Sequence, residues 1–204
     1  LPHARDLQRD ASWFGMAKTP ATREDELSGK TLVVVGFGGI GARLGDYARA
    51  LGMKVIAVKR DVARLGGAAD EIVATENLHE VLPRADYLAL TCPLTPQTRG
   101  LIDAGALAAL KPGAALVNVA RGAVVDEAAL IAALEAGTLR EAALDCFETE
   151  PLPADSPLWA MSNVIVTQHV GGETRAYEDN VTDILLDNLA RLSRGDRDLR
   201  NQVL

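Results

Sequence analysis

Apolar and polar positions along this chain fall into two regimes. Short runs with almost no polar interruption read as buried strands: Thr31–Val35 (TLVVV), Lys54–Val58 (KVIAV), Tyr87–Thr91 (YLALT) and Ala114–Val119 (AALVNV). Ile72–Ala74, Ala142–Cys146 and Val164–Thr167 are expected to add three more. Between these runs the apolar residues take helical spacing. Ile40, Leu44, Ala48 and Leu51 precede a stop at Gly52, and Leu130, Ile131 and Leu134 precede a stop at Gly137, in a helix expected over Asp126–Ala136. Short helices are expected at Leu78–Leu82, ended by Pro83, and at Asp103–Leu110, with Asp103 as N-cap. A long amphipathic helix over Thr174–Ser193 carries Val181, Ile184, Leu185, Leu189 and Leu192 on one side. Strands that are apolar throughout and separated by helices form a parallel sheet covered on both faces.

The first strand runs into Gly36, Gly38 and Gly41, in G-x-G-x-x-G spacing at a strand-to-helix turn. Gly36 allows the tight turn, Gly38 lets a pyrophosphate approach the backbone, and Gly41 lets the helix pack close to the strand. Gly39 and Ile40 complete the turn, and the positive end of the helix faces the phosphates. An ordinary glycine-rich turn that holds nothing is the bland alternative. The strand before the triplet and the helix after it favour dinucleotide binding. The expected fold is therefore α/β, a Rossmann-like doubly wound parallel sheet of about seven strands. It is expected to fill residues 27–172, after a helical arm and linker at 1–26 and before a C-terminal helix and tail at 173–204.

In such a sheet, ligands sit beyond the C-terminal strand ends. Thr91, Cys92 and Pro93 follow the fourth strand, and Val119, Ala120 and Arg121 the fifth. A guanidinium leaving a strand edge can hold a carboxylate with two parallel hydrogen bonds, or form an ordinary surface salt bridge. Asp145, Glu148 and Glu150 follow the sixth strand, where isolated acids are most often solvated loop charges. His169 follows the seventh, with Gly171 just beyond, while His3 and His79 read as surface residues. Histidine titrates near neutral pH and suits proton transfer to a carbonyl oxygen or from an alcohol. An Arg, a Glu and a His on three successive strand edges are a more pointed combination than any one alone.

Bulk composition narrows the field. Hydrophobic content of 48% and charged content of 24% are ordinary for a globular protein. The net charge of −7 argues against nucleic acid or an anionic membrane as the main partner. No apolar stretch approaches the roughly 20 residues that span a bilayer. No secretory leader and no metal site are expected. Cys92 and Cys146 read as two buried, reduced thiols of a cytoplasmic protein. The chain begins at Leu1 rather than Met, and is expected to be a piece of something longer.

These motifs resemble the D-isomer-specific 2-hydroxyacid dehydrogenase family. The matching runs are Gly36–Gly41, Pro93–Ile102, Asn118–Gly122 with Val125-Asp126-Glu127, Leu144–Leu152 and His169–Gly172. The resemblance implies reversible hydride transfer between NAD(P)H and a 2-keto acid, with the D-2-hydroxy acid as the reduced form. It implies His169 as acid/base with Glu150 as its partner. Arg121 would anchor the substrate carboxylate, and Asp145 would meet the nicotinamide end. It also implies a homodimer, for which Trp13 and Phe14 are candidate contact surface, and a second, substrate-binding domain largely absent from this chain. The second strand ends in Val58-Lys59-Arg60-Asp61, where NAD-preferring relatives usually carry an acid. The basic pair Lys59 and Arg60 suits a 2′-phosphate and favours NADP, while Asp61 can reach a ribose and leaves NAD open. Gln168 stands where many relatives have proline. Two other readings stay open: the same scaffold acting on formate or phosphite, and a non-catalytic dinucleotide sensor.

Overall fold

The computed structural model of the 204-residue chain describes residues 7–13, 15, 23, 25–63 and 69–202. The expected N-terminal arm falls largely outside them, as do His3 and Phe14. Within it, residues 7–9 form a helical turn and Trp13 is 94% exposed. Two compact units divide the chain, Leu1–His169 and Val170–Leu204.

The first unit holds β1 (Thr31–Val35), α1 (Gly39–Ala50), β2 (Lys54–Lys59), β3 (Glu71–Ala74), α2 (Leu78–Val81) and β4 (Tyr87–Leu90). It continues with α3 (Ala104–Ala109), β5 (Ala114–Asn118), α4 (Glu127–Glu135), β6 (Leu139–Leu144) and β7 (Val164–Val166). All seven strands lie parallel in one sheet, in the order β3-β2-β1-β4-β5-β6-β7. The order runs one way from β1 to β3 and the other way from β4 to β7. The reversal opens a crevice between the strand ends of β1 and β4.

The unbroken apolar runs follow from burial on both faces. Side chains alternate along a strand. Val33, Val35, Ile56, Val58, Leu88 and Leu90 join one core with Leu78, Leu107 and Leu130 of α2, α3 and α4. Their neighbours Leu32, Val34, Val55, Ala57 and Ala89 join a second core with Ala48 of α1. A polar residue in the middle of β1 would meet apolar neighbours whichever way it pointed.

The ends of the elements use the expected chemistry. Asp103, the expected N-cap, accepts from the Ala106 N–H through Oδ1 (2.8 Å); Asp126, expected inside its helix, caps it instead, its Oδ1 accepting from the Ala129 N–H (3.0 Å). Gly52, just past α1, takes φ +80°. Several boundaries differ from expectation, two of them for a visible reason. β6 spans Leu139–Leu144, not Ala142–Cys146: exposed Arg140 and Glu141 hide its start, and Asp145 and Cys146 already lie in the loop beyond it. Pro83 does not end α2, which closes at Val81; it sits early in a 3-10 turn over Leu82–Arg84, where its missing N–H costs nothing.

The second unit contains α5 (Tyr177–Ser193). Val181, Leu185, Leu189 and Leu192 are exposed on it. No helix among the described residues is long and apolar enough to cross a membrane.

Candidate active site

The site begins where β1 passes into α1. Gly36 takes φ +90°, and a Cβ there would stand 2.5 Å from the backbone N and Cα of Cys92. A Cβ on Gly41 would overlap the carbonyl oxygen of Gly36, which accepts from Thr91 Oγ1 at 2.5 Å. The turn is thus drawn tightly against the end of β4. Gly38 and Gly39 differ: both are exposed, and a Cβ on either would meet nothing within 4 Å. No side chain caps α1, whose N-cap is Gly38 itself. The N–H groups at the start of this helix therefore face open space beside a backbone that a phosphate can approach. Tight packing at Gly36 and Gly41, with room at Gly38 and Gly39, fits a dinucleotide.

Along the same edge, β2 ends at half-buried Lys59, and exposed Arg60 follows it. Asp61 turns its carboxylate onto its own loop, accepting from the Ala63 N–H at 3.1 Å. Beyond β4, Cys92 is buried, and burial pushes its thiol up in pKa. Pro93 is exposed beside it.

Asn118, 2% exposed, closes β5 and shapes the next three residues. Its Oδ1 accepts from the Ala120 N–H (3.0 Å), and its Nδ2 donates to the Arg121 carbonyl (3.2 Å). Ala120 is buried, while Val119 and Arg121 are exposed. The Arg121 guanidinium lies back on its own chain, Nη1 donating to the Ala120 carbonyl at 2.6 Å.

The loop after β6 carries the carboxylates. Asp145 is buried and accepts from Thr167 Oγ1 at 2.6 Å, which joins the ends of β6 and β7. Glu150 uses both oxygens: Oε1 accepts from the Phe147 N–H (2.9 Å), and Oε2 lies 2.8 Å from Nδ1 of His169. The Glu150–Pro151 peptide is cis. The His169 hydrogen bond, with lesser help from the Phe147 N–H and the charges of His169 and Arg121, outweighs partial burial. It holds the Glu150 carboxyl below the usual carboxylate range. An ionised carboxylate only accepts, so Nδ1 of His169 carries the proton of this bond. Arg121 also acts on the neighbouring thiol. Cys146 is pushed up to about 12, chiefly by burial and then by Glu150 and Asp145, and Arg121 opposes the rise. Arg121, Glu150 and His169 thus share one electrostatic neighbourhood.

His169 sits at φ +56°, in the left-handed region that few residues with a Cβ occupy. Such backbone costs about 1–2 kcal/mol, and it concentrates at functional sites. Beside the pair opens a cavity of about 550 Å³, walled by Phe147, Leu152, Trp159 and Val166 and by the polar Thr167 and Gln168. Gly171 belongs to the second unit.

Three residues outside the expected set shape this edge: Asn118, Thr167 and Glu127, whose Oε2 accepts from the Glu148 N–H at 3.0 Å. A polar residue closing an otherwise apolar β5 was the available signal for Asn118. Glu127 closes the matching run Val125-Asp126-Glu127, which gave it no role, and nothing local marked Thr167.

A doubly wound parallel sheet with an uncapped glycine turn beside its switch point defines a nucleotide-binding protein of Rossmann type. The chain belongs to the D-isomer specific 2-hydroxyacid dehydrogenase family: residues 1–171 match its NAD binding domain. It is 43% identical over 166 residues to the (S)-sulfolactate dehydrogenase of Chromohalobacter salexigens, an alignment covering 81% of this chain and 54% of that protein. It is 39% identical over 171 residues to the D-3-phosphoglycerate dehydrogenase of Methanocaldococcus jannaschii, covering 84% and 32%. The chain spans about half or less of the length of these curated relatives. Among solved structures, a D-isomer specific 2-hydroxyacid dehydrogenase from Xanthobacter autotrophicus, in complex with NADPH and MES, superposes with TM-score 0.80 at 36% identity. That match covers 100% of this chain and 80% of that one.

Proposed function

We propose that this chain is the cofactor-binding part of an oxidoreductase that interconverts a 2-keto acid and a D-2-hydroxy acid with NAD(P)H. The observation that carries this reading is the 2.8 Å contact between His169 Nδ1 and Glu150 Oε2, on the sheet edge that also bears Arg121. With Nδ1 committed to Glu150, Nε2 is the nitrogen that exchanges a proton with substrate. It takes the proton from the alcohol in one direction and returns it to the keto oxygen in the other. The Glu150 carboxylate fixes the ring's orientation and favours the imidazolium. Arg121 leaves the Ala120 carbonyl to hold the substrate carboxylate and to stabilise negative charge growing on oxygen.

The cofactor is held by Gly36, Gly38, Gly39, Ile40 and Gly41 at the pyrophosphate. Thr91, Cys92, Pro93, Val119, Ala120 and His169 lie along its length, and Asp145 at the nicotinamide end. Bound there, the nicotinamide supplies or accepts the hydride. NADP is favoured over NAD, because Lys59 ends β2 and Arg60 follows it, while Asp61 is engaged by Ala63. The working unit is a cytoplasmic homodimer; the exposed Trp13 of the arm supports the pairing. The residues group as an arm at 1–26, a nucleotide-binding domain at 27–172 and a helix and tail at 173–204.

Cofactor oxidation with a panel of 2-keto acids tests the reading, in protein extended to the length of its relatives. Turnover that needs His169 is the expected result. Tight nucleotide binding with no turnover of any acid would replace the enzyme with a dinucleotide sensor.

A further inference from the structure

Arg121 and Glu150 stand on different loops, and something must hold those loops in register. The peptide between Phe147 and Glu148 lies where they meet. On one side is Gly122, next to Arg121: a Cβ there would overlap the Phe147 carbonyl and the Glu148 nitrogen. On the other is Glu127, 21 positions before Glu148, whose Oε2 accepts the Glu148 N–H at 3.0 Å. Asp126 already caps α4, so the Glu127 carboxylate is not needed there as the N-cap acceptor. One residue earlier, the Phe147 N–H goes to Glu150 Oε1. Two consecutive amides are thus held by two carboxylates, one on α4 and one that also meets His169.

We infer that Glu127 is a positioning residue. By holding the Glu148 amide against the Arg121–Gly122 segment, it sets the loop from which Glu150 reaches His169. Its effect on turnover rests on the roles proposed above for Arg121, Glu150 and His169; its grip on the loop does not.

Amide hydrogen exchange by NMR on the 204-residue chain reads that grip without activity. Glu127→Ala should speed exchange at Glu148 by about tenfold or more, and also at Phe147, which Glu127 does not touch. The ¹⁵N signals of the His169 ring should move toward the other tautomer in the same variant. Glu127→Gln retains an acceptor oxygen and should restore all three readouts. A response at Glu148 alone, or at neither amide, overturns the inference, and so does a Gln variant that behaves like Ala. Uniform acceleration that includes the amides of β1 and β4 overturns it as well, because the effect would then be global. In extended protein, Glu127→Ala should lower kcat with little change in cofactor affinity. Absence of turnover in the unmutated protein would count against the proposed function and leave the exchange result standing.

Discussion

Nδ1 of His169 and Oε2 of Glu150 lie 2.8 Å apart, although 19 positions separate the two residues along the chain. One stands beyond β7 and the other in the loop after β6, so adjacent parallel strands bring them together. The second carboxylate oxygen is occupied by the Phe147 N–H, which leaves Glu150 little freedom to turn away.

This pairing predicts an order of losses. His169→Asn removes the proposed proton carrier and should lower kcat by about 10²–10⁴-fold. Glu150→Gln keeps the shape but brings an amide that can donate toward Nδ1 and upset the tautomer, and should cost about tenfold to 10²-fold. Steady-state kinetics with NADPH and a 2-keto acid, in extended protein, checks both. Equal kcat in wild type and Glu150→Gln would remove Glu150 from the mechanism.

The depressed pKa of Glu150 makes a prediction about acid stability. The folded protein holds its charged form more strongly than the unfolded chain does, first through the His169 hydrogen bond. The contribution is therefore present above the usual carboxylate value of 4.5 and is lost as pH falls through the lower folded value. Urea unfolding between about pH 5 and 2.5 should show wild type losing more stability with acid than Glu150→Gln. Parallel curves would mean the carboxylate gains nothing from its partners.

The proposed preference for NADP rests on the end of β2. Arg60→Ala should weaken NADPH binding about tenfold and change NADH binding little, because a charged hydrogen bond to the 2′-phosphate is lost. Lys59→Ala should act in the same direction. Fluorescence titration with each nucleotide decides it. Equal weakening of both would show that these cations serve the surface and not the phosphate.

Two glycines of one turn should fail in different ways. Gly36→Ala places a methyl against the Cys92 backbone at φ +90° and should destabilise the fold by roughly 2–4 kcal/mol. Gly38→Ala meets open space, so stability should change by less than about 1 kcal/mol, while the methyl stands where a pyrophosphate must come close. Thermal melts and nucleotide titrations of the two variants should separate them. A Gly38→Ala protein with unchanged affinity would place the phosphates elsewhere.

Trp13 carries the prediction about assembly. It is 94% exposed, a large cost in unsatisfied apolar surface unless something covers it. Sedimentation at micromolar concentration should show a dimer that Trp13→Ala weakens, and a wild-type monomer would refute the pairing.

Much of this molecule is written in short-range pattern. An apolar run long enough for a strand, a glycine at a turn, and an Asp three residues before a helical amide each act over a few positions. Thr31–Val35, the N-cap Asp103 and the stop at Gly52 could therefore be read directly. Boundaries slipped where polar residues fall within an element: Arg140 and Glu141 concealed the start of β6, and Pro83 was absorbed into a 3-10 turn. The candidate residue types at the strand ends were visible too, because Arg121, Glu150 and His169 follow the fifth, sixth and seventh apolar runs in turn.

Contact between them was not visible in the apolar pattern; only the family resemblance implied that Glu150 partners His169. Strands buried on both faces carry nearly the same apolar message, so periodicity does not say which lies beside which. Only the packed sheet sets β4 against β1, which puts Cys92 against Gly36, and β7 against β6, which brings Thr167 to Asp145 and His169 to Glu150. Local periodicity chose the elements and their apolar faces. Long-range packing chose the neighbours, because hydrogen bonds such as those of Glu127 and Thr167 depend on which chain segments meet and not on the residues beside them.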